Sequence, residues 1–565
     1  MATYLGIFDG HNAAAALYVD GAIRHAIQEE RLTGTKNYYG PPQKAVARLL
    51  ELEGIGPADV ERVCIASRYV SPPRDPRAFK DDFDERYAPP LRRRVAGRLS
   101  MQPAYRRRRA DQRMAERAAV VAGWGFAPGR IGFYEHHRTH AATAYYGLRR
   151  DEGAYLVLTL DGGGDGLSGS VWRAEGGRLE PVAEIPQPDS LGEVYAVTTH
   201  MLGFMPLEHE YKLMGMAPYA ATEYAETAAR IYRSYVGLDA DGLRFRRKVG
   251  ESLAMLGPRM QRDMQRLRFD TICGGLQLFT EEMLSAWVGA CVRRTGVGRV
   301  LGAGGVFMNV KANKAISELE EVEYFEAFPS CGDETLSMGA CYLAAVEAGE
   351  DVERLRHFYL GNDLGEEECR RAAEGQPGLR VEKPEDMAGR VAGLLADGEI
   401  VARASGPMEF GARALGNRSI LADPVNQDVV RVINHMIKKR DFWMPFAPVV
   451  LRHEAAPYFA NPKDLPSPYM MNTFAATERK GQFMAAVHNA DLTARPQLLE
   501  DGQNPGYQAI LERFAETTGR HVLLNTSFNL HGFPIVCTAE EAVGVLLNSG
   551  LERLVLGPLL VSKEK

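Results

Sequence analysis

Tyr4-Leu-Gly-Ile-Phe8 is an apolar run that stops at Asp9-Gly10; a second run, Ala14 to Val19, turns at Asp20-Gly21 into a third, Ala22 to Gln28. The pattern returns near residue 155. Leu156 to Leu160 meets the bend Asp161 to Gly164, then come Gly169-Ser-Val-Trp172, a Gly176-Gly177 turn and Leu179 to Ile185. Short apolar runs separated by Asp/Gly turns predict strands joined as hairpins. Each copy therefore reads as strand, polar bend, strand, tight turn, strand. Two unrelated hairpins would look the same, and that reading stands level with duplication here. In either case, an Asp beside glycines at the first bend can aim a carboxylate and backbone N–H groups at a phosphate and its metal.

Between the copies, residues 71–117 carry Pro72-Pro73, Pro89-Pro90, Arg92-Arg93-Arg94 and Arg106-Arg107-Arg108-Arg109. They predict an irregular or helical surface insertion: a solvated basic face, or a lid or acceptor-binding surface. Further on, the strand Val300-Leu301 meets Gly304-Gly305, then Asn309 and a helix. Glycines let a backbone approach a nucleotide closely, so Gly163, Gly304 and Gly305, with Asn309, are candidate nucleotide contacts. G-x-G-x-x-G with its acidic partner is lacking, which argues against a dinucleotide fold. Ser330-Cys-Gly-Asp333-Glu-Thr335 opens a helix running towards Ala348. A polar stretch, Glu366 to Gly378, marks a boundary between domains over 1–365 and 366–565. In the second, a helix over 384–396 feeds a strand over 400–404, and the run Val522-Leu-Leu524 delivers Asn525-Thr-Ser527-Phe-Asn529 at its tip. Thr538-Ala-Glu-Glu541 reads as a capping box.

Candidate chemistry concentrates at two places. His136 and His140 lie four apart in Glu135-His-His-Arg-Thr-His140, at the head of a run that reads as helix to Gly147. That spacing sets both imidazoles on one face, close enough to share an ion. With 13 histidines in 565 residues, about 0.3 such pairs arise by chance, so the pair decides little alone. Asp161 adds a carboxylate at a strand tip, and Asp333 is either the N-cap of its helix or a fourth ligand. Two imidazoles and two carboxylates without thiolate suit Fe(II), Zn or Mn. The second place is 403–440, where seven cations (Arg403, Arg413, Arg418, Arg431, Lys438, Lys439, Arg440) face three anions (Glu409, Asp423, Asp428). That local balance of +4 contrasts with −6 for the chain. Cations interleaved with small residues suit phosphate, as for Arg413 in its glycine-flanked loop; Arg431 and Lys439 fit an exposed helix as well.

Net charge argues against bulk nucleic-acid affinity. Seven cysteines, an odd number without C-x-x-C, fit a reducing compartment. Neither a leader-like basic start nor an apolar run of ~18 residues is present, so a cytoplasmic protein without a membrane partner is expected.

Taken together the motifs resemble the NodU/CmcH family of O-carbamoyltransferases, which carbamoylate hydroxyl groups of antibiotics and nodulation factors. The resemblance spans nearly the whole chain. It is carried by His11-Asn-Ala-Ala-Ala-Ala-Leu17, Glu29-Glu-Arg31, Glu135-His-His-Arg-Thr-His-Ala141, Glu210-Tyr-Lys-Leu-Met-Gly-Met-Ala-Pro218 and Gly304-Gly-Val-Phe-Met-Asn309. Its C-terminal part adds Arg413-Ala-Leu-Gly-Asn-Arg-Ser-Ile-Leu-Ala-Asp-Pro424, Pro445-Phe-Ala-Pro448, Arg495-Pro-Gln497 and Leu523-Leu-Asn-Thr-Ser-Phe-Asn529. Ala412, Asn37 and Trp443-Met444 depart from its usual pattern.

What the resemblance implies is specific. The fold would be α/β: an N-terminal duplicated ribonuclease-H-like core, similar to the actin-like ATPase fold of tRNA threonylcarbamoyl transferases, and a C-terminal YrdC-like α/β domain. ATP, accompanied by Mg, and carbamoyl phosphate would give carbamoyl-adenylate in the C-terminal domain. Arg413, Arg418, Lys438, Arg440 and Arg495 would serve the phosphates there, with Arg413 and Lys438 taking catalytic parts. Asn525 and Ser527 would orient the carbamoyl group or nucleotide. The carbamoyl group would then reach a hydroxyl of a natural product, an antibiotic or sugar, at a metal site of His136, His140, Asp161 and Asp333. The family favours iron in that site. His11 would act as base or substrate clamp unless it merely caps its hairpin, and Lys212 is a further catalytic candidate. A homodimer is the default assembly.

Other readings use the same residues. A fused tRNA threonylcarbamoylation enzyme would share the cation pocket, but the chain lacks a broad basic stripe. A non-enzymatic nucleotide-binding module of the actin-like class is also open. A metalloprotease is excluded by the lack of H-E-x-x-H.

Overall fold

The computed structural model describes residues 2–73, 75, 78–87, 103–438 and 441–564. Pro89-Pro90, Arg92 to Arg94 and Arg440 lie outside the described residues, as do the side chains of Arg106 and Lys438. The chain forms two compact units, Met1–Glu29 with Asn37–Arg356, and Glu30–Lys36 with His357–Lys565. Both are mixed α/β.

Among the described residues twelve strands build the first unit: β1 Thr3–Phe8, β2 Ala14–Val19, β3 Ala22–Gln28, β4 Arg62–Ala66, β5 Ile131–Tyr134, β6 Tyr155–Gly164, β7 Leu167–Glu175, β8 Arg178–Pro186, β9 Val236–Leu238, β10 Phe245–Arg247, β11 Arg299–Ala303 and β12 Tyr324–Ala327. β9 and β10 pair as a short ribbon. The rest form two sheets, ordered β3-β2-β1-β4-β5 and β8-β7-β6-β11-β12. In the first, β1, β2 and β3 are antiparallel neighbours, while β1, β4 and β5 run parallel. In the second, β6, β7 and β8 are antiparallel, and β6, β11 and β12 run parallel. Order and direction agree strand for strand. The repeated motif is a duplicated fold, not two chance hairpins.

The duplication also explains the all-apolar strands. Every residue of β1 and β2 is buried, because helices cover both faces of the sheet. Helix Gln43–Glu53 lies on β2 and β3; helix Leu336–Glu347 lies on β1, β2 and β4. The helix leaving β5, His136–Leu148, lies on β6, β7 and β11. Each half thus sends its last helix onto the sheet of the other. The two helices touch closely: a Cβ on Gly339 would come within 2.2 Å of the Thr139 carbonyl oxygen. Gly339→Ala is expected to destabilise the protein by about 1–3 kcal/mol through overpacking, read as a lower denaturation midpoint.

In the 71–117 insertion Arg107, Arg108 and Arg109 are exposed, as a solvated basic face requires, while other described side chains reach the core. Phe79 and Phe83 are buried. Arg117, on helix Pro103–Ala122, is also buried. Its guanidinium Nε and Nη2 bond the Asp9 carboxylate at 2.6–3.0 Å, while Nη1 and Nη2 donate to the carbonyls of Ser67 (2.6 Å) and Ala66 (2.9 Å). The insertion is thus more than a basic surface: a buried carboxylate needs a paired cation, and Arg117 supplies it.

In the second unit, eight strands order as Leu379–Glu382, Leu559–Lys563, Arg553–Leu556, Val401–Ala404, Arg418–Ala422, Val522–Ser527, Ala447–Leu451 and Gln497–Leu499. One face packs under Val543 and Leu546, the other under Leu511 and Phe514. Asp386 caps helix Met387–Ala396 by accepting the Gly389 N–H, which starts it three residues later than the sequence suggested. The expected capping box of Thr538 and Glu541 is present. Arg31, from the short excursion Glu30–Lys36, donates to the Gly411 carbonyl at 2.7 Å. None of the seven cysteines is in a disulfide and all are buried, and no described helix is long and apolar enough to cross a membrane.

Candidate metal centre

Glu135 starts the helix His136–Leu148: its carboxylate accepts the backbone N–H groups of His137 (3.0 Å) and Arg138 (2.6 Å). That cap sets His136 at the first helical position and His140 one turn on. Asp165, in the bend after β6, accepts the N–H groups of His136 (3.0 Å), Arg68 (2.9 Å) and Tyr69 (2.8 Å). Helix start, β4 end and β6 bend are therefore tied together. The turn Asp333–Thr335 leads into Leu336–Glu347, so the crossing helices bring Asp333 to the same end.

His136 Nδ1 bonds Ser67 Oγ at 2.8 Å, which leaves Nε2 to face the cluster. Nε2 lies 2.6 Å from Asp161 Oδ2 and 3.8 Å from Asp333 Oδ1. His140 Nε2 is 3.5 Å from each of the same two oxygens. All four donor atoms fall within 4.8 Å of one another. Ligands at metal-bond length on a tetrahedron sit about 3.4 Å apart, close to three of these four separations. The buried atoms His140 Nε2 and Asp161 Oδ1 have no hydrogen-bond partner, although such atoms are nearly always satisfied. A cation fits both observations. Asp333 supplies no helix cap; its side chain is the partly exposed member of the four.

Charge is arranged to match. Burial disfavours the His136 imidazolium, but the Asp161 carboxylate overrides it and raises the group to about 10. His140 is raised too, its burial outweighed by the nearby carboxylates of Asp161 and Asp333. Burial would raise the Asp161 carboxyl, yet His137 and His136 hold it far below the carboxylate range. Space is equally constrained: a Cβ on Gly164 would meet the His136 ring at 2.2 Å. Gly164→Ala is expected to tilt that ring and weaken Zn(II) binding at least ~10-fold, measured by competition with a chromophoric chelator.

The remaining N-terminal candidates sit elsewhere or have other duties. Gly304, at φ +94°, makes room for β6, since a Cβ would meet the Leu160 carbonyl oxygen at 2.4 Å. A Cβ on Gly163 would meet Gln187 at 2.5 Å, while Gly305 faces open space. Asn309 caps helix Val310–Ser317 and exchanges two hydrogen bonds with Gln277. That accounts for its side chain without a nucleotide. His11 bridges Tyr39 through its backbone and sets its ring edge-on to Phe79 at 5.1 Å. Lys212 Nζ stands over the Phe204 ring at 5.3 Å. Neither joins the four-residue cluster.

In the second unit, a buried polar network surrounds the loop between strands Val401–Ala404 and Arg418–Ala422. Arg403 Nη1 donates to the Ser405 and Gly416 carbonyls and to Asn417 Oδ1, and burial pulls it down to about 10. Arg418, fully buried, donates to the carbonyls of Gly406, Asn417 and Asn362 at 2.9–3.1 Å. These bonds brace the loop, and Arg418 Nε is buried without a partner. Arg413 and Arg495 are half-buried. Asn525 Nδ2 donates to the Ala414 carbonyl (3.0 Å) and Gln497 Oε1 (3.2 Å), and its Oδ1 is buried without a partner. Ser527 Oγ bonds Asn529 Oδ1 at 2.8 Å.

Sequence reasoning passed over several members of both sites. Ser67 carries no motif. His137 stood inside the quoted histidine stretch but off the i, i+4 spacing. Glu409, which accepts the N–H groups of Leu415 (2.6 Å) and Arg418 (3.1 Å), was counted only as a charge.

Residues 3–342 match the family described as Carbamoyltransferase N-terminus, and residues 392–563 match Carbamoyltransferase C-terminus. The chain belongs to the carbamoyltransferase family and is an enzyme that transfers carbamoyl groups. It is similar to nodulation protein NolNO of Sinorhizobium fredii, with 32% identity over 98% of this chain and 79% of that one. It is also similar to the 3'-hydroxymethylcephem-O-carbamoyltransferase of Amycolatopsis lactamdurans, with 35% identity over 30% of this chain and 31% of that one. Component A of (R)-2-hydroxyglutaryl-CoA dehydratase from Acidaminococcus fermentans overlaps loosely, with TM-score 0.33 and 15% identity over 62% of this chain and all of that one. Membership of this family does not favour a tRNA-modifying or a non-enzymatic reading.

Proposed function

We propose that the protein is an ATP-dependent O-carbamoyltransferase working in two stages, with a natural-product hydroxyl as acceptor. The observation that carries the second stage is the four-donor cluster of His136, His140, Asp161 and Asp333, in a chain of this family. The shared strand order of the two halves supports a duplicated ribonuclease-H-like, actin-like core, and the second unit is read as YrdC-like.

In the first stage water cleaves carbamoyl phosphate to carbamate and inorganic phosphate. A carbamate oxygen then attacks the α-phosphorus of ATP and expels pyrophosphate to give carbamoyl-adenylate, because a carbamate carbonyl is a poor electrophile until AMP is its leaving group. Arg413, Arg495 and Lys438 neutralise the phosphates, and the buried Asn525 Oδ1 accepts from the carbamoyl amide. In the second stage the acceptor oxygen bonds to the carbamoyl carbon, the carbon–oxygen bond to AMP breaks, and the hydroxyl proton passes to a base, for which His11 is the candidate. A divalent ion held by His136, His140, Asp161 and Asp333, most consistent with Fe(II) among Fe, Zn and Mn, supplies Lewis-acid polarisation of the carbonyl or phosphate. Ser67 and Asp165 hold His136 in place for this.

Incubation of the full chain with ATP and carbamoyl phosphate is expected to release pyrophosphate, and adding a hydroxylated acceptor to give a product heavier by one carbamoyl group. Release of ADP or no turnover would sink the first stage.

Metal binding carries a pH signature. In the metal-free protein His136 stays protonated up to about pH 10, so a metal must displace that proton. Apparent affinity should rise with pH below that value, and the calorimetric enthalpy should depend on the buffer's ionisation enthalpy. Because the folded value lies above the ordinary 6.5, His136 stabilises the metal-free fold fully below pH 6.5, and that contribution is lost between 6.5 and about 10. A buffer-independent enthalpy contradicts this.

A further inference from the structure

His137 is completely buried and is neither a helix cap nor a member of the four-donor set. Its Nδ1 lies 2.9 Å from Thr159 Oγ1. Thr159 Oγ1 lies 2.6 Å from Ser170 Oγ, and Trp172 Nε1 donates to Ser170 Oγ at 2.6 Å. The chain of contacts has a direction. An indole N–H can only donate, so Ser170 Oγ accepts from Trp172. Each hydroxyl proton in the row then finds an acceptor in one arrangement: Ser170 donates to Thr159, and Thr159 donates to His137 Nδ1. The imidazole proton is left on Nε2. That nitrogen faces Asp161 Oδ1 at 3.6 Å, and neither atom has a hydrogen-bond partner.

We propose that His137 is a positioning residue for Asp161. Its tautomer, fixed by the Trp172–Ser170–Thr159 relay, points Nε2–H at Asp161 Oδ1 and so leaves Oδ2 directed at the ion. This rests on the metal reading above. Outer partners of this kind orient a ligand without touching the ion, and their loss typically costs 10–100-fold in metal affinity. Thr159 and Ser170 lie on the adjacent strands β6 and β7, paired in register, so the relay is built into the sheet that carries Asp161 itself. Without the Thr159 hydroxyl, His137 is free to carry its proton on Nδ1. A Nε2 lone pair would then face the carboxylate oxygen.

The test compares Zn(II) affinity, the visible spectrum of the Co(II) protein and metal-free thermal stability in wild type, Thr159→Val, His137→Leu and His137→Gln. Gln places an amide N–H where imidazole Nε2–H stands. Thr159→Val and His137→Leu are expected to bind Zn(II) about 10–100-fold more weakly and to shift the Co(II) bands, with His137→Gln recovering most of both. Variants that lose thermal stability but keep wild-type affinity and spectrum would overturn the proposal. So would X-ray absorption showing three imidazoles on the ion, because His137 would then be a ligand. A wild-type protein that binds neither metal would instead sink the metal reading.

Discussion

Asp161→Asn is expected to abolish stoichiometric metal binding and to cut carbamoyl transfer by about 10³-fold or more. Asp161 Oδ2 is the oxygen closest to His136 Nε2 and is as near to His140 Nε2 as Asp333 Oδ1 is, and the carboxylate is buried. An amide in its place removes an anionic ligand and turns one donor position into N–H groups. Losing the Lewis-acid contribution costs several kcal/mol of transition-state stabilisation, and each 1.4 kcal/mol is about tenfold in rate. A second readout does not depend on turnover. Asp161 is the largest of the groups that oppose burial at His136, ahead of Asp333 and Asp165, so in the metal-free variant the imidazole should titrate well below about 10. Nitrogen-15 spectra of the histidines measure this. A variant that keeps metal, rate and the high titration together contradicts the assignment.

Arg117→Ala should give the largest loss of stability, about 3–5 kcal/mol, because removing one partner leaves the Asp9 carboxylate buried and uncompensated. The expected result is a large drop in denaturation midpoint at unchanged denaturant slope. The paired substitution Asp9→Leu with Arg117→Met should recover most of the loss, since replacing both charges with apolar groups of similar size is often neutral. If the single and paired variants are equally unstable, the ion pair is not the cause. Asp9 follows β1 as Asp161 follows Leu160 in β6, so the two carboxylates occupy matching places in the duplicated halves. One meets an arginine from the insertion; the other meets histidines.

The duplication was legible because its signal is local: apolar runs, an Asp-Gly bend and a tight turn recur in the same order in each half. The helix spacing of His136 and His140 was legible for the same reason. Two kinds of fact were not. Asp333 could be read as cap or ligand, and only the crossing of helices His136–Leu148 and Leu336–Glu347, with nearly 200 residues between their starts, decides where it points. Arg117 looked like the end of a solvated basic run, since nothing in a one-dimensional pattern shows that Asp9 waits beneath it. Arg418 shows the converse. It sits in a conspicuous cation-rich stretch, but the backbone carbonyls of Gly406, Asn417 and Asn362 take its Nη donors. Side chains that satisfy loop carbonyls and those that bind phosphate are chemically alike, so composition cannot separate them. Ser67, Thr159 and Ser170 matter through hydrogen bonds to histidines, and small hydroxyl residues in strands carry no spacing signature at all.

The most direct measurement is a crystal of the metal-loaded full chain with diffraction recorded on either side of the metal's absorption edge. The account predicts one anomalous peak per chain, within bonding distance of His136 Nε2, His140 Nε2 and a carboxylate oxygen from each of Asp161 and Asp333. A peak bound by other residues, or loaded crystals with no peak among these four side chains, would contradict it.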